Sequence, residues 1–374
     1  MNPIGYNKNR TAEILEKNGI DVLIASSPEN IFYTSGLPTL HVAKNPILFV
    51  LQNQYPSLTL IRRDGEEVLI TWMVYQSASL LSWVKDIRGI GAPKMATKFT
   101  VDVLTEWNAT NKVIGVETSM PRYQADYIRE KLQEATLVDG DGAFIEMRMV
   151  KSPEEVKRIQ KSTQIAEKAI LAIVGITREG VTDEELLQEA RKTIVQEGAE
   201  GWDHLTLGLG ASDPEAPGYV KASMKKDDLA RFDIGAVWEG YVSDVSRHAS
   251  IGKPVGEDLH DKMIQVQEFC VEQIKPGISA AEVAKATKVF YKTLDKRLSC
   301  YVTAHSIGLQ TEEFHFFSPM VRKGKGIFEE NMVLDVEVWT PFKNFGLLGI
   351  EDTYQVTKSR CKQISSLEKK IFVV

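Results

Sequence analysis

The residues of this 374-residue chain best placed to do chemistry are acids paired across two apolar segments. Residues 232–244, Phe-Asp-Ile-Gly-Ala-Val-Trp-Glu-Gly-Tyr-Val-Ser-Asp, read as a tight hairpin. Pairing about the Trp238/Glu239 midpoint sets Asp233 directly opposite Asp244, with Cβ atoms roughly 5 Å apart on one face. Like charges facing each other destabilise a ladder, so a cation or solvent has to sit between them. Farther on, residues 332–339 form a strand with acids at alternate positions, Asp335 and Glu337, and residues 349–356 form its partner across a loop at 341–346. Glu337 and Glu351 centre on Asn344 and converge in the same way. His305, flanked by the small residues Ala304 and Ser306, lies between the two hairpins.

Any one of these acids alone reads as a solvated strand end, and His305 alone as a core histidine. Four carboxylates and an imidazole in two matched halves read instead as an oxygen-rich site for Mn, Fe(II), Co or Zn, in which bridging carboxylates let two ions share the site. Such an ion brings a bound water from a pKa of about 15.7 to about 7, making a nucleophile for a carbonyl carbon at neutral pH.

The order Asp-x10-Asp, His-x-Ile-Gly-Leu, Met-Val-x-x-x-Glu, Gly-Ile-Glu-Asp-Thr resembles the pita-bread metallopeptidase family of methionine aminopeptidase, prolidase, aminopeptidase P and creatinase. Residues 27–37 look like the amino-terminal domain of the prolidase and creatinase branch. The resemblance implies an α+β protein: an N-terminal mixed α/β creatinase-like domain at residues 1–149, then a pseudo-twofold pita-bread catalytic domain at residues 150–374. It implies two divalent ions (Mn, Co, Fe or Zn), with Asp233 on the first, Asp244 and Glu351 bridging, and His305 and Glu337 on the second. The implied reaction is hydrolysis of an Xaa-Pro dipeptide or related small amide, with Glu337 catalytic. Arg247 matches an arginine common in the family and is assigned to substrate binding with Glu313 and His315. The resemblance also implies a homodimer whose amino-terminal domain caps the partner's cleft, which makes His41 a contributor to substrate selection.

Two departures from the family pattern bear on the substrate. Prolidase-like members carry His-Gly-Ile-Gly-Leu-x-x-His-Glu, whereas Glu312 stands here at the second histidine and Glu313 follows it. A further family histidine after a proline is replaced by Gly218, after Pro217. In the peptidases those histidines contact substrate and stabilise the tetrahedral intermediate. A carboxylate cannot donate a hydrogen bond to an oxyanion, but it can accept a proton or attract a cation. With Glu312 as a catalytic base, the expectation is weak Xaa-Pro cleavage and a preference for a small cationic or zwitterionic substrate. The alternatives are a lyase or C–N hydrolase on the same scaffold, and an inactive binding homologue. His204, His248 and His315 are available to replace the missing imidazoles.

The elements that must position these groups are legible in part. A helix starts near residues 12–15, residues 22–25 form a buried strand, and Ser27-Pro28 caps a helix that Gly36 ends. Strands are expected at 47–51, 58–61, 68–72 and 113–116, and a helix at 123–132. Ser152-Pro153-Glu154-Glu155 is a capping box opening a long helix towards Ile173. Residues 176–186 overlay residues 274–283 at a glycine, a β-branched residue, a hydroxyl cap and an N3 glutamate, an internal repeat. Residues 208–213 imitate a dinucleotide glycine pattern but lack the third glycine, and read as a loop.

Composition removes several classes. Acidic residues outnumber basic ones 51 to 45, which disfavours a nucleic-acid partner. No apolar run approaches the roughly 18 to 20 residues that span a bilayer, and the start has no apolar signal region. Three cysteines, Cys270, Cys300 and Cys361, with no CxxC pair, fit a reducing compartment, so a cytoplasmic protein is expected.

Overall fold

The structure, a computed structural model, describes residues 2–43, 47–52, 54–75, 80–210, 222–319, 321 and 324–374. The chain divides into two units, Met1–Arg148 and Met149–Val374.

In the first unit, β1 (Val22–Ala25), β2 (Leu58–Arg62), β3 (Glu67–Trp72), β4 (Asp86–Ile90), β5 (Val113–Val116) and β6 (Thr136–Asp139) form one sheet in the order β4-β3-β2-β1-β5-β6. Central β1 is parallel to β5 and antiparallel to β2, and all four of its residues are buried. An unbroken apolar run is what a strand covered on both faces needs. The helix Pro28–Ser35 starts at Ser27, whose hydroxyl accepts from the Asn30 N–H, and ends at Gly36 with φ 77°, the left-handed position that glycine adopts without a Cβ penalty. The strand expected at 47–51 is a helical turn, Ile47–Val50. Five consecutive apolar residues carry no period that separates the two. The edge strands β4 and β6 escape the sequence pattern because they are short and mostly half-exposed.

In the second unit, β7 (Gly201–Leu209), β8 (Leu229–Trp238), β9 (Tyr241–Val242), β10 (Val245–Ser250), β11 (Tyr301–Ser306), β12 (Phe314–Phe317), β13 (Val333–Phe342) and β14 (Gly346–Val356) belong to one sheet. Its main path runs β12-β11-β13-β14-β10-β8-β7. The helices Pro153–Ile176, Asp183–Gln196 and Ala280–Leu294 each open with a capping box, Ser152 with Glu155, Thr182 with Glu185 and Ser279 with Glu282. Two of these boxes are the repeat read from the sequence. Phe232, Ile234 and Ala236 of β8 pack with Ile165, Ile173 and Leu186, and Leu334 and Val336 of β13 pack with Cys270, Ile274 and Val283. Strand side chains alternate between faces, so the odd-numbered positions of β8 and β13 point away from these helices. Among the described residues no helix is long and apolar enough to cross a membrane.

Candidate metal centre

Two rows of residues cross the second sheet side by side. One row reads Thr206, Asp233, Ser246, Glu351, Glu337, Thr303, successive register partners on β7, β8, β10, β14, β13 and β11. The next row reads His204, Gly235, Asp244, Thr353, Asp335, His305, with Asp244 placed by continuing the β8–β10 register one residue past Val245. Rows two residues apart share a face. The two repeat halves meet at the β10–β14 pairing, so each delivers its acids to the same place.

Glu337 and Glu351 are direct partners, as their spacing implies. Asp233 and Asp244 are diagonal rather than opposite. The hairpin turns one residue later, at Glu239 and Gly240 with φ 47° and 85°, so Asp233 pairs with Ser246. Moving the turn centre by one residue shifts the partner by two, which keeps both carboxylates on one face.

Ligand atoms lie within 4.8 Å of one another in three overlapping groups: His204, Asp233 and Asp244; Asp244, His305 and Asp335; Asp233, Glu337 and Glu351. All five residues expected as ligands from the sequence fall within these groups. His305 is oriented by Nδ1–H donation to the Thr311 carbonyl at 3.0 Å, leaving Nε2 3.4 Å from Glu351 Oε1. An imidazole fixed through one nitrogen with the other facing acids is the usual posture of a metal-binding histidine.

Among the described residues three more belong to the centre, and the sequence reading gave none of them a ligand role. Asp335 alternates with Glu337 on β13, a signal already visible in the sequence. Arg231, two residues before Asp233 and only 3% exposed, donates from Nη2 to Glu337 Oε1 at 2.7 Å and lies 3.2 Å from Asp233 Oδ2. Its spacing from Asp233 was the available signal. His204 sits with Nε2 3.3 Å from Asp233 Oδ1 and 3.2 Å from Asp244 Oδ1.

Crowding of buried acids shapes the electrostatics. Burial, reinforced by neighbouring carboxylates, pushes Glu337, Glu351 and Asp335 up to about 8 and Asp244 up to about 7. Burial also opposes the charge on Asp233, yet Arg231 and His204 hold that carboxyl below its usual range. Burial disfavours the His305 imidazolium as well, but Glu351 and Asp335 raise it to about 10. Asp335 is fully buried and neither of its oxygens makes a hydrogen bond of normal geometry among the described residues, although His305 and its register partner Thr353 favour its charged form. Such a group stays neutral unless a cation sits beside it to favour the carboxylate. The carboxylate and imidazole donor set therefore fits divalent Mn, Fe, Co or Zn.

Several of the remaining assignments need correction. Arg247, expected on substrate, is fully buried away from the acids: Nη2 bonds Asp352 Oδ1 at 2.6 Å and Nη1 bonds the Glu351 carbonyl at 2.9 Å. Its strand neighbour Ser246 takes the acid face, so alternation sends Arg247 to the other. Glu313, also expected on substrate, is buried in a 2.6 Å ion pair with Lys151 and accepts from the Leu309 N–H, which anchors the loop after β11. Glu312, expected as a base, is 54% exposed and lies 3.3 Å from His315 Nε2, outside the three converging groups. His315 flanks the centre, its ring 5.9 Å from that of His305. His248 is structural, with Nδ1–H donating to the Ala230 carbonyl and Nε2 accepting from the Gly349 N–H. His41 is exposed in the first unit, its ring edge-on to Phe49 at 4.9 Å. Pro217 and Gly218 lie outside the described residues, as do residues 211–213 of the glycine pattern.

Comparison with known proteins agrees with this geometry. Residues 157–358 match metallopeptidase family M24, and residues 8–150 match the creatinase/prolidase N-terminal domain. The Xaa-Pro dipeptidase of Pyrococcus horikoshii is 25% identical over 366 residues, 96% of each chain. The crystal structure of the prolidase from Pyrococcus horikoshii OT3 aligns with a TM-score of 0.79 at 22% identity, covering 96% of this chain and 98% of that one. That of the X-Pro aminopeptidase from Thermotoga maritima aligns with a TM-score of 0.78 at 22% identity, covering 98% and 99%. The structural likenesses establish the fold, and the family match spans more than half of the sequence. The chain belongs to metallopeptidase family M24 and is a metallohydrolase with a creatinase/prolidase domain ahead of its catalytic domain.

Proposed function

We propose that the protein is a dipeptidase that cleaves the amide bond of an Xaa-Pro dipeptide, or of a related small amide, using two divalent ions of the Mn, Co, Fe and Zn group. The observation that carries this reading is the convergence of Asp233, Asp244, Glu337, Glu351 and His305 on one face of the sheet. Asp233 would hold the first ion, Asp244 and Glu351 would bridge, and His305 and Glu337 would hold the second. When bound, the ions supply a water acidified to act at neutral pH and polarise the scissile carbonyl.

The side chains do the remaining work. Glu337, with Oε1 fixed by Arg231, is placed to take a proton from the attacking water and return it to the leaving nitrogen. His315 offers an imidazole beside the centre to donate to the substrate, the role that the Glu312 substitution had left vacant. Glu312 is exposed and paired, so it offers no buried base, which was the feature favouring a lyase. The relatives named as Xaa-Pro dipeptidases support the substrate class. The family resemblance supports a cytoplasmic homodimer acting on a small molecule, with neither nucleic acid nor membrane as partner.

The test is turnover by the Mn-loaded protein on Xaa-Pro dipeptides, other dipeptides, small amides and sulfonium acids. Metal-dependent Xaa-Pro cleavage is expected, falling about 100-fold or more in Glu337→Gln. Full metal loading with no amide cleaved overturns the proposal.

A further inference from the structure

We infer that His204 is a sixth protein ligand of the centre, giving a nitrogen donor to the divalent ion held between Asp233 and Asp244. The inference rests on the metal-centre reading above and adds a residue outside the family's five-ligand pattern.

The backbone is built to bring this side chain to the acids. β7 pairs β8 as Gly201 with Val237 and Trp202 with Ala236, and the register then slips so that His204 meets Gly235. Asp203 is the extra residue of a β-bulge. Continued without the slip, the register would set His204 beside Ile234, on the face that packs against the helices. The bulge moves it to the face of Asp233, re-aiming a side chain as bulges near active sites do.

Room for the ring comes from the partner strand. A Cβ on Gly235 would lie 2.5 Å from both Cε1 and Nδ1 of His204 and 2.7 Å from the Ser243 carbonyl oxygen. Only a glycine at this register position lets the imidazole lie across β8. The ring is then fixed by Nδ1–H donation to Asp203 Oδ2 at 3.2 Å, and the same oxygen accepts from the Thr311 hydroxyl. Nε2 is left facing Asp233 and Asp244. His305 has the same posture, its Nδ1–H on the Thr311 carbonyl. Thr311 thus orients both imidazoles, one through its carbonyl and the other through Asp203. A carboxylate holding the far nitrogen of an imidazole sets the tautomer that coordinates metal. Two carboxylates and one imidazole form a donor set for Mn, Fe, Co or Zn.

The alternative is that His204 is only a counter-ion for Asp233 and Asp244. Pulsed EPR on the full-length protein loaded with Mn(II) separates the two, because a coordinated imidazole nitrogen couples to the electron spin and a counter-ion does not. The wild-type nitrogen coupling is expected to weaken in His204→Gln, with Mn affinity by calorimetry falling on the order of 10- to 100-fold. Asp203→Asn leaves the donor in place but loosens its orientation, and should lower affinity in the same direction by a smaller factor. Unchanged nitrogen coupling and affinity in a folded, Mn-bound His204→Gln protein overturn the inference alone. A wild-type protein that binds no Mn overturns the metal-centre reading together with it.

Discussion

Arg231 and Glu337 stand on β8 and β13, two strands separated in the sheet by β10 and β14, yet the guanidinium donates to the carboxylate at 2.7 Å. The arginine spans the two halves and also touches Asp233, so a permanent cation sits among five clustered acids, of which Asp244, Asp335 and Glu351 are buried and Asp233 and Glu337 half-buried. It acts as a resident counter-charge in the metal-free protein. Removing one partner of a buried pair leaves the other uncompensated, at a cost of about 3 to 5 kcal/mol. Arg231→Met should therefore lower the melting temperature of the metal-free protein sharply. Added Mn should restore more stability to the variant than it gives the wild type. Equal metal-induced shifts in the two proteins, measured by scanning calorimetry, would argue that the guanidinium and the ions answer to different carboxylates.

A second prediction follows from the raised carboxyls. Glu337, Glu351 and Asp335 near 8 and Asp244 near 7 are largely protonated at pH 6, and ligands must shed protons to bind an ion. Mn binding at pH 6 should release protons, seen as a calorimetric enthalpy that varies with the ionisation heat of the buffer. Affinity should rise from pH 6 to pH 8. Stability of the metal-free protein has the opposite slope. Groups whose pKa is higher folded than unfolded bind more protons in the native state, so stability is lost as pH climbs through the folded values. His305, raised to about 10, adds to the same loss. The metal-free melting temperature should thus fall between pH 6 and pH 9, and a flat profile would count against an acid-crowded centre.

What the sequence revealed and what it hid divides along physical lines. Glu337 and Glu351 were legible because a short hairpin with one turn fixes register by counting. Asp233 and Asp244 came within one turn residue of their true pairing; the error was to centre the turn on Trp238/Glu239 when Glu239-Gly240 takes the two positive φ angles of a primed turn. His204 was hidden because its face is set by a bulge, and a bulge reverses the alternation from which burial is read. Arg247 and Glu313 were misassigned because a charged residue next to a site in sequence points away from it on a strand, or folds under it in a loop. The segment Ile47–Val50 carried no period to read.

The Arg247 correction yields a third prediction. Arg247 and Asp352 are both fully buried, with Nη2 and Oδ1 at 2.6 Å. Arg247→Met should cost about 3 to 5 kcal/mol in urea denaturation. Because the side chain does not reach the acid face, KM for a dipeptide in the surviving folded fraction should stay unchanged. A raised KM with intact stability would return Arg247 to the substrate.

The last prediction separates Glu312 from His315, which face each other at 3.3 Å. Their chemistry differs: an imidazole can donate a hydrogen bond to oxygen as negative charge develops, whereas a carboxylate only accepts. Their placement differs as well. His315 pairs with His305 across β11 and β12, with ring centroids 5.9 Å apart, while Glu312 is more than half exposed. Losing an oxyanion donor costs about 100- to 1000-fold in kcat. Losing a single contact made by an exposed carboxylate costs about 0.2 to 1 kcal/mol, at most about a fivefold effect. His315→Ala should therefore reduce kcat on an Xaa-Pro dipeptide by about 100-fold with Mn content unaltered, and Glu312→Gln should stay within about fivefold. Glu312→His places a second donor near the first and is expected to preserve or raise Xaa-Pro turnover. If Glu312→Gln proves as damaging as His315→Ala while metal content holds, the carboxylate works on substrate directly and His315 serves to position it.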